Sequence, residues 1–144
     1  MIVLEGQPAL SQFRRARLES RLQSVAPQVR LLGTWQVYFI DPQPGTAPDL
    51  EALRRILQAG DTPAAREDGA TSRLVVPRLG TRSPWSSKAT ELLRGAGIAV
   101  HRVERGTRVD LAGWPDDAAA RTALDKLLHD PMTQSLLAGV EQAG

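Results

Sequence analysis

Two stretches of this chain run through the same order of elements, and that repetition constrains the fold more than any other feature of the sequence. Ile2-Val3-Leu4 reads as a short strand. Pro8 suits the first turn of a helix reaching about Val25, with Leu10, Phe13, Leu18, Leu22 and Val25 on one side and a basic outer face. In the strand region 29–40, Trp35, Val37 and Phe39 alternate with Gln36, Tyr38 and Ile40, and Gly33 marks a bulge or tight bend. Thr46 is the expected cap of a second helix, with Pro48 and Asp49 in its first turn and Leu50, Leu53, Ile56 and Leu57 as its apolar stripe.

The second pass repeats this order. Leu74-Val75-Val76 is a strand, Pro84 opens a helix bearing Trp85, Ala89, Leu92, Leu93 and Ala96, and Gly95-Ala96-Gly97 stops it. Ile98 to Val103 and Thr107 to Leu111 read as a hairpin about Arg105-Gly106. Asp116 and Asp117 then sit in the first turn of a helix carrying Leu124, Leu127 and Leu128, and a short final helix is expected over Leu136, Leu137 and Val140. The expected class is α+β, with two β-α-β-β-α halves over 1–60 and 72–130, a connector over 61–71 and a terminal segment over 131–144. Generic α/β alternation is the competing explanation of the same pattern. A chain of 144 residues with 42% hydrophobic content can bury one sizeable core without staples, so the halves are expected to share it.

Cysteine is absent, which removes disulfides, thiolate metal sites and cysteine nucleophiles from these residues and agrees with a reducing, cytoplasmic setting. No apolar run approaches the length of a membrane span, and the first residues lack the pattern of a secretory signal. The net charge is only +2, yet between Thr71 and Arg108 eight cations face only Glu91 and Glu104. That concentration fits either a solvated arginine-rich face or a docking surface for phosphate or an acidic partner.

Catalytic patterns are missing from the sequence. His101 and His129 share no ligand spacing, the pair Asp116-Asp117 is explained by helix-start electrostatics, and Ser86-Ser87 lack a glycine-flanked elbow. Neither a GxxxxGK[ST] loop nor GxGxxG occurs. The segment Pro77 to Lys88 has physical content of its own. Gly80 permits a tight turn, Ser83 is a natural cap and Pro84 fits the first helical position. The amides of Trp85 and Ser86, flanked by Arg78, Arg82 and Lys88, would make an anion seat. A capped helix packing Trp85 into a core accounts for the same residues.

The words PRLGTRSPWSSKATELL, HRVERG and LLHDPM, with LEGQPALSQFRRARLESRL near the start, resemble the N-terminal domain of the large single-chain phosphoribosylformylglycinamidine synthases over essentially the whole chain. The resemblance implies a ferredoxin-like fold built as two copies of the small PurS subunit, cut near the linker to a synthetase domain. The family's full-length enzyme is a ligase that uses ATP, magnesium and glutamine to convert formylglycinamide ribonucleotide to formylglycinamidine ribonucleotide in purine biosynthesis. The implied role of this domain is non-catalytic, coupling the synthetase and glutaminase domains of the same polypeptide and shaping the ammonia path, with no cofactor or metal of its own. Pro77, Arg78, Gly80, Thr81, Ser83, Pro84, Trp85, Ser86, Ser87 and Lys88 are carried over as an inter-domain surface, without catalytic roles. Partners other than these domains, whether nucleic acid or membrane, are not expected, while self-association of the isolated piece stays open. Two other classes are an independent nucleic-acid-binding module and a small-molecule regulatory module. The first is weakened by an aromatic content of 4% and by the lack of arginines among the aromatics of the Trp35 strand.

Overall fold

The first long run is rich in β-branched and aromatic residues and the second repeats valine and threonine at Val100, Val103, Thr107 and Val109, and in the computed structural model each run becomes one 13-residue strand. The structure describes residues 2–59, 70–77, 83–130 and 132–137. The first pass comprises β1 (Ile2–Pro8), α1 (Gln12–Val25), β2 (Arg30–Pro42) and α2 (Leu50–Leu57). The second comprises β3 (Thr71–Pro77), α3 (Pro84–Gly95), β4 (Val100–Ala112) and α4 (Ala118–Leu128), followed by β5 (Gln134–Leu137). The expected connector over 61–71 lies outside the described residues except for its end, where Thr71 already belongs to β3.

The strands form one antiparallel sheet in the order β1-β2-β4-β3-β5. The two long strands pair at its centre and each short strand flanks the long strand of its own half, so the repeat in sequence becomes a pseudo-two-fold in space. Its axis passes between the pairs Gln36–Thr107 and Val37–Gly106. The register shift between Leu31 and Gly33 is the irregularity that Gly33 foreshadows. This arrangement is a ferredoxin-like α+β fold.

Alternation sorts the core. Leu4, Tyr38, Ile40 and Val103 point to one face and meet Leu53 of α2 and Leu93 of α3. On that same face Leu31, Val75, Val109 and Leu111 meet Leu22 of α1 and Leu124 of α4. Burying a leucine of this kind contributes roughly 1.5–3 kcal/mol. Val37, Phe39, Leu74, Val76 and Leu137 form a separate buried cluster on the opposite face. Beside it lies a charged cluster, in which the Arg108 guanidinium sits 4.7 Å above the Trp35 ring and pairs with Glu5 and, at 2.9 Å, with Asp110. The Ser72 hydroxyl donates to Asp110 at 2.7 Å.

Each long strand outruns its short neighbour, and a helix takes over the exposed edge. Beyond β1, Arg15 of α1 donates to the Leu31 and Leu32 carbonyls, Glu19 accepts from Leu31 N–H, and Gln23 donates to the Val29 carbonyl. Beyond β3, Ser86 of α3 donates to the Val103 carbonyl, Thr90 accepts from Val103 N–H, and Arg94 donates to the Val100 and His101 carbonyls. In both helices the three residues are spaced i, i+4, i+8, a single polar stripe along one helix face. Thr90→Val preserves shape but leaves the buried Val103 N–H unpaired. A loss of about 1–3 kcal/mol is expected, measurable by urea denaturation with an unchanged slope.

Several local expectations are corrected. The hairpin about Arg105-Gly106 is instead the uninterrupted strand β4, paired on both sides, and Gly106 marks a close approach rather than a turn. Pro8 ends β1 at the sheet's edge, where its missing N–H costs no ladder bond, and Ser11 caps α1. Asp49 caps α2 by accepting from Glu51 and Ala52 N–H, while the Thr46 hydroxyl turns back to the Gln43 carbonyl. Asp117 is the cap of α4 rather than a first-turn residue. The final helix is overturned at Leu136 and Leu137, which belong to β5; they point to opposite faces and pack into different clusters, a period of two. Val140 lies outside the described residues. Phe13 and Leu92, expected on inner helix faces, are 75% and 66% exposed.

Candidate functional site

The segment singled out in the sequence spans the junction between β3 and α3. Pro77 closes β3 opposite Gln134 of β5. Arg78, Gly80 and Thr81 lie outside the described residues. The chain re-enters at Ser83, whose hydroxyl accepts from Ser86 N–H at 3.0 Å, with Pro84 opening the helix. Capping and the proline position are therefore as the sequence indicates.

The negative charge at this helix start comes from the chain itself. Ser83 donates to Glu104 through its hydroxyl at 2.8 Å and through its amide at 3.4 Å, and Arg102 lies 3.4 Å from the same carboxylate. A carboxylate in this position complements the helix dipole and the open N–H groups. Ser86 is fully buried and engaged with Val103, whereas Ser87 and Lys88 are exposed on the outer side of α3.

Trp85 stands half-buried between two partners. Its ring lies 6.0 Å from that of Tyr38, tilted by 32°, and the Arg105 guanidinium sits 4.7 Å from its centroid. Burial pushes the Tyr38 hydroxyl above the usual tyrosine range, partly opposed by the Arg105 charge.

Two depressions flank Trp85. One, of about 510 Å³, is lined by Gln36, Trp85, Glu104, Arg105, Thr107 and Thr133, among others, and opens near the pseudo-two-fold axis. The other, of about 430 Å³, runs between α2 and α3 and is mostly apolar, with Ile56, Leu57, Ala89 and Leu92 in its walls and Lys88 at its rim. Tyr38, Gln36, Glu104, Arg105 and Thr107 were not singled out as site residues by sequence reasoning. The word HRVERG contained two of them, but treating its glycine as a turn hid their place on a central strand.

His101 is exposed on β4, and His129 at the end of α4 contacts the Asp125 carbonyl at 2.5 Å. Among the described residues no three His, Cys, Asp or Glu side chains gather as a metal site. No helix among them is long and apolar enough to cross a membrane.

The family model described as the formylglycinamide ribonucleotide amidotransferase N-terminal domain matches residues 35–144, taking in the second half of the repeat, the β3–α3 junction, all of β4 and the later part of β2. With most of its length inside that match, and with the α+β architecture just described, this chain belongs to the N-terminal domain family of formylglycinamide ribonucleotide amidotransferase, an enzyme of purine biosynthesis.

Proposed function

We propose that this chain is a non-catalytic coupling domain. It packs between the synthetase and glutaminase domains of one cytoplasmic ligase and helps form the sheltered route by which ammonia reaches the activated substrate. ATP and magnesium act in the synthetase domain, outside this chain.

The observation that carries this reading is the outer side of α3. Leu92 is 66% exposed, Lys88 stands one turn away, and both border the apolar groove against α2. An exposed leucine beside an apolar groove with a charged rim has the composition of a contact surface. The family match supplies the enzyme in which such a surface would work.

The purified chain, given glutamine, ATP, magnesium and formylglycinamide ribonucleotide, is expected to yield neither glutamate nor amidine product above a protein-free blank. Chromatographic detection of either product in proportion to chain concentration would refute the non-catalytic role.

A further inference from the structure

The middle of the helix-covered sheet face carries polar side chains where packing alone would favour apolar ones. Gln36 and Thr107 are paired across β2 and β4 beside the pseudo-two-fold axis, one from each half of the repeat. Both are half-buried, and both line the cavity of about 510 Å³ left beside Trp85. Among the described residues no protein group hydrogen-bonds to either side chain. An amide and a hydroxyl placed so keep their donors and acceptors open toward the cavity, where water or a ligand can answer them.

An exposed cation stands at the cavity wall. Arg105 lies against the Trp85 ring, and its guanidinium has no carboxylate partner among the described residues. Glu104, its neighbour in sequence, is engaged by the Ser83 hydroxyl and amide and by Arg102. Arg105 therefore brings positive charge that the lining leaves unmatched. Because the guanidinium already covers the indole face, the ring serves to position the cation rather than to stack a ligand.

We propose that this cavity binds a small oxyanion-bearing molecule, a carboxylate or a phosphate monoester, whose amide or hydroxyl groups pair with Gln36 and Thr107 while Arg105 holds its charge. The volume falls within the range of small-molecule sites, and a guanidinium, an amide and a hydroxyl at its wall supply donors for the anion and acceptors for its polar stem. The cavity shares Pro77, Ser83, Pro84 and Trp85 with the β3–α3 junction, but its binding is measured on this chain alone and does not rest on the coupling role.

The test is titration of the 144-residue chain with malonamate and, separately, with glycerol 3-phosphate, following the Gln36 side-chain and the Gly106 and Thr107 backbone resonances by NMR. Neutral malonamide and glycerol serve as controls. A saturable shift with at least one anion, and none with its neutral analogue, is expected. Arg105→Gln should weaken that binding by about tenfold or more at an unchanged melting temperature, and Thr107→Val should weaken it less. Which anion saturates assigns the ligand to the carboxylate or the phosphate class. Absence of saturable shifts with both anions, equal binding of the neutral analogues, or undiminished binding by Arg105→Gln would overturn the proposal.

Discussion

Gly106→Val is expected to be the most damaging single substitution in the sheet. A Cβ at this position would lie 2.7 Å from the Val75 carbonyl oxygen and 2.9 Å from a methyl of Val76, with Phe39 at 3.4 Å. The first contact is with backbone of the neighbouring strand, so relief requires β3 to move away from β4 in the middle of the sheet. Overpacking of this kind costs about 1–3 kcal/mol for one added methyl and more for a branched side chain, against a total stability of roughly 5–15 kcal/mol. Thermal denaturation followed by circular dichroism should place Gly106→Ala several degrees below the parent, and Gly106→Val should be lowered by roughly 10 °C or fail to fold. Gly95→Ala is the contrast: nothing lies within 4 Å of the added methyl, and the change should be neutral or slightly stabilising. Equal behaviour of the valine variant and the parent would contradict the close approach of β3 and β4.

Arg108→Ala is expected to cost about 3–5 kcal/mol, for a different reason. The Arg108 side chain is 5% exposed, Asp110 is 3% and Glu5 is 12%, so removing the guanidinium leaves two carboxylates in poorly solvated positions without that cation. It also takes away the flat group that covers Trp35, whose indole in turn occupies the space that a side chain at Gly33 would need. Asp110→Ala should cost less, because Glu5 still faces the guanidinium. Arg108→Lys should not restore the parent, since an ammonium cannot reproduce the forked contact to two acids together with the ring stacking. Urea unfolding of the three variants would check the order, and a fully stable Arg108→Ala would show that the cluster contributes little.

Much of the architecture was legible because period and punctuation agreed. The alternation through Trp35 to Ile40, the Ser83-Pro84 start and the Gly95-Ala96-Gly97 stop each have a local cause, and each stands where that cause puts it. Gly106 misled because glycine signals a turn when only chain neighbours are considered, whereas here its reason is a carbonyl from another strand. Leu136-Leu137 misled for a similar reason: two leucines fit a helix or a strand, and pairing with β3 decides between them. The polar stripe Arg15, Glu19, Gln23 has no local signal in the sequence, because its role of replacing a missing strand along β2 is set by the packing of α1 on the sheet. Of the candidate site, the cap and the exposed Lys88 were readable, while the approach of Tyr38, Glu104 and Arg105 to Trp85 depends on strand register.

The proposed coupling role assigns the surface that begins at the β3–α3 junction to linking ammonia production with its use. The most direct measurement is the ratio of glutamine hydrolysed to formylglycinamidine ribonucleotide formed by the complete enzyme. Arg78→Ala with Lys88→Ala, and separately Leu92→Asp, should be introduced into a protein whose melting temperature matches the parent. A ratio near one is expected in the parent and a severalfold rise in both variants, with free ammonia appearing in solution. A ratio that stays near one in both would contradict it.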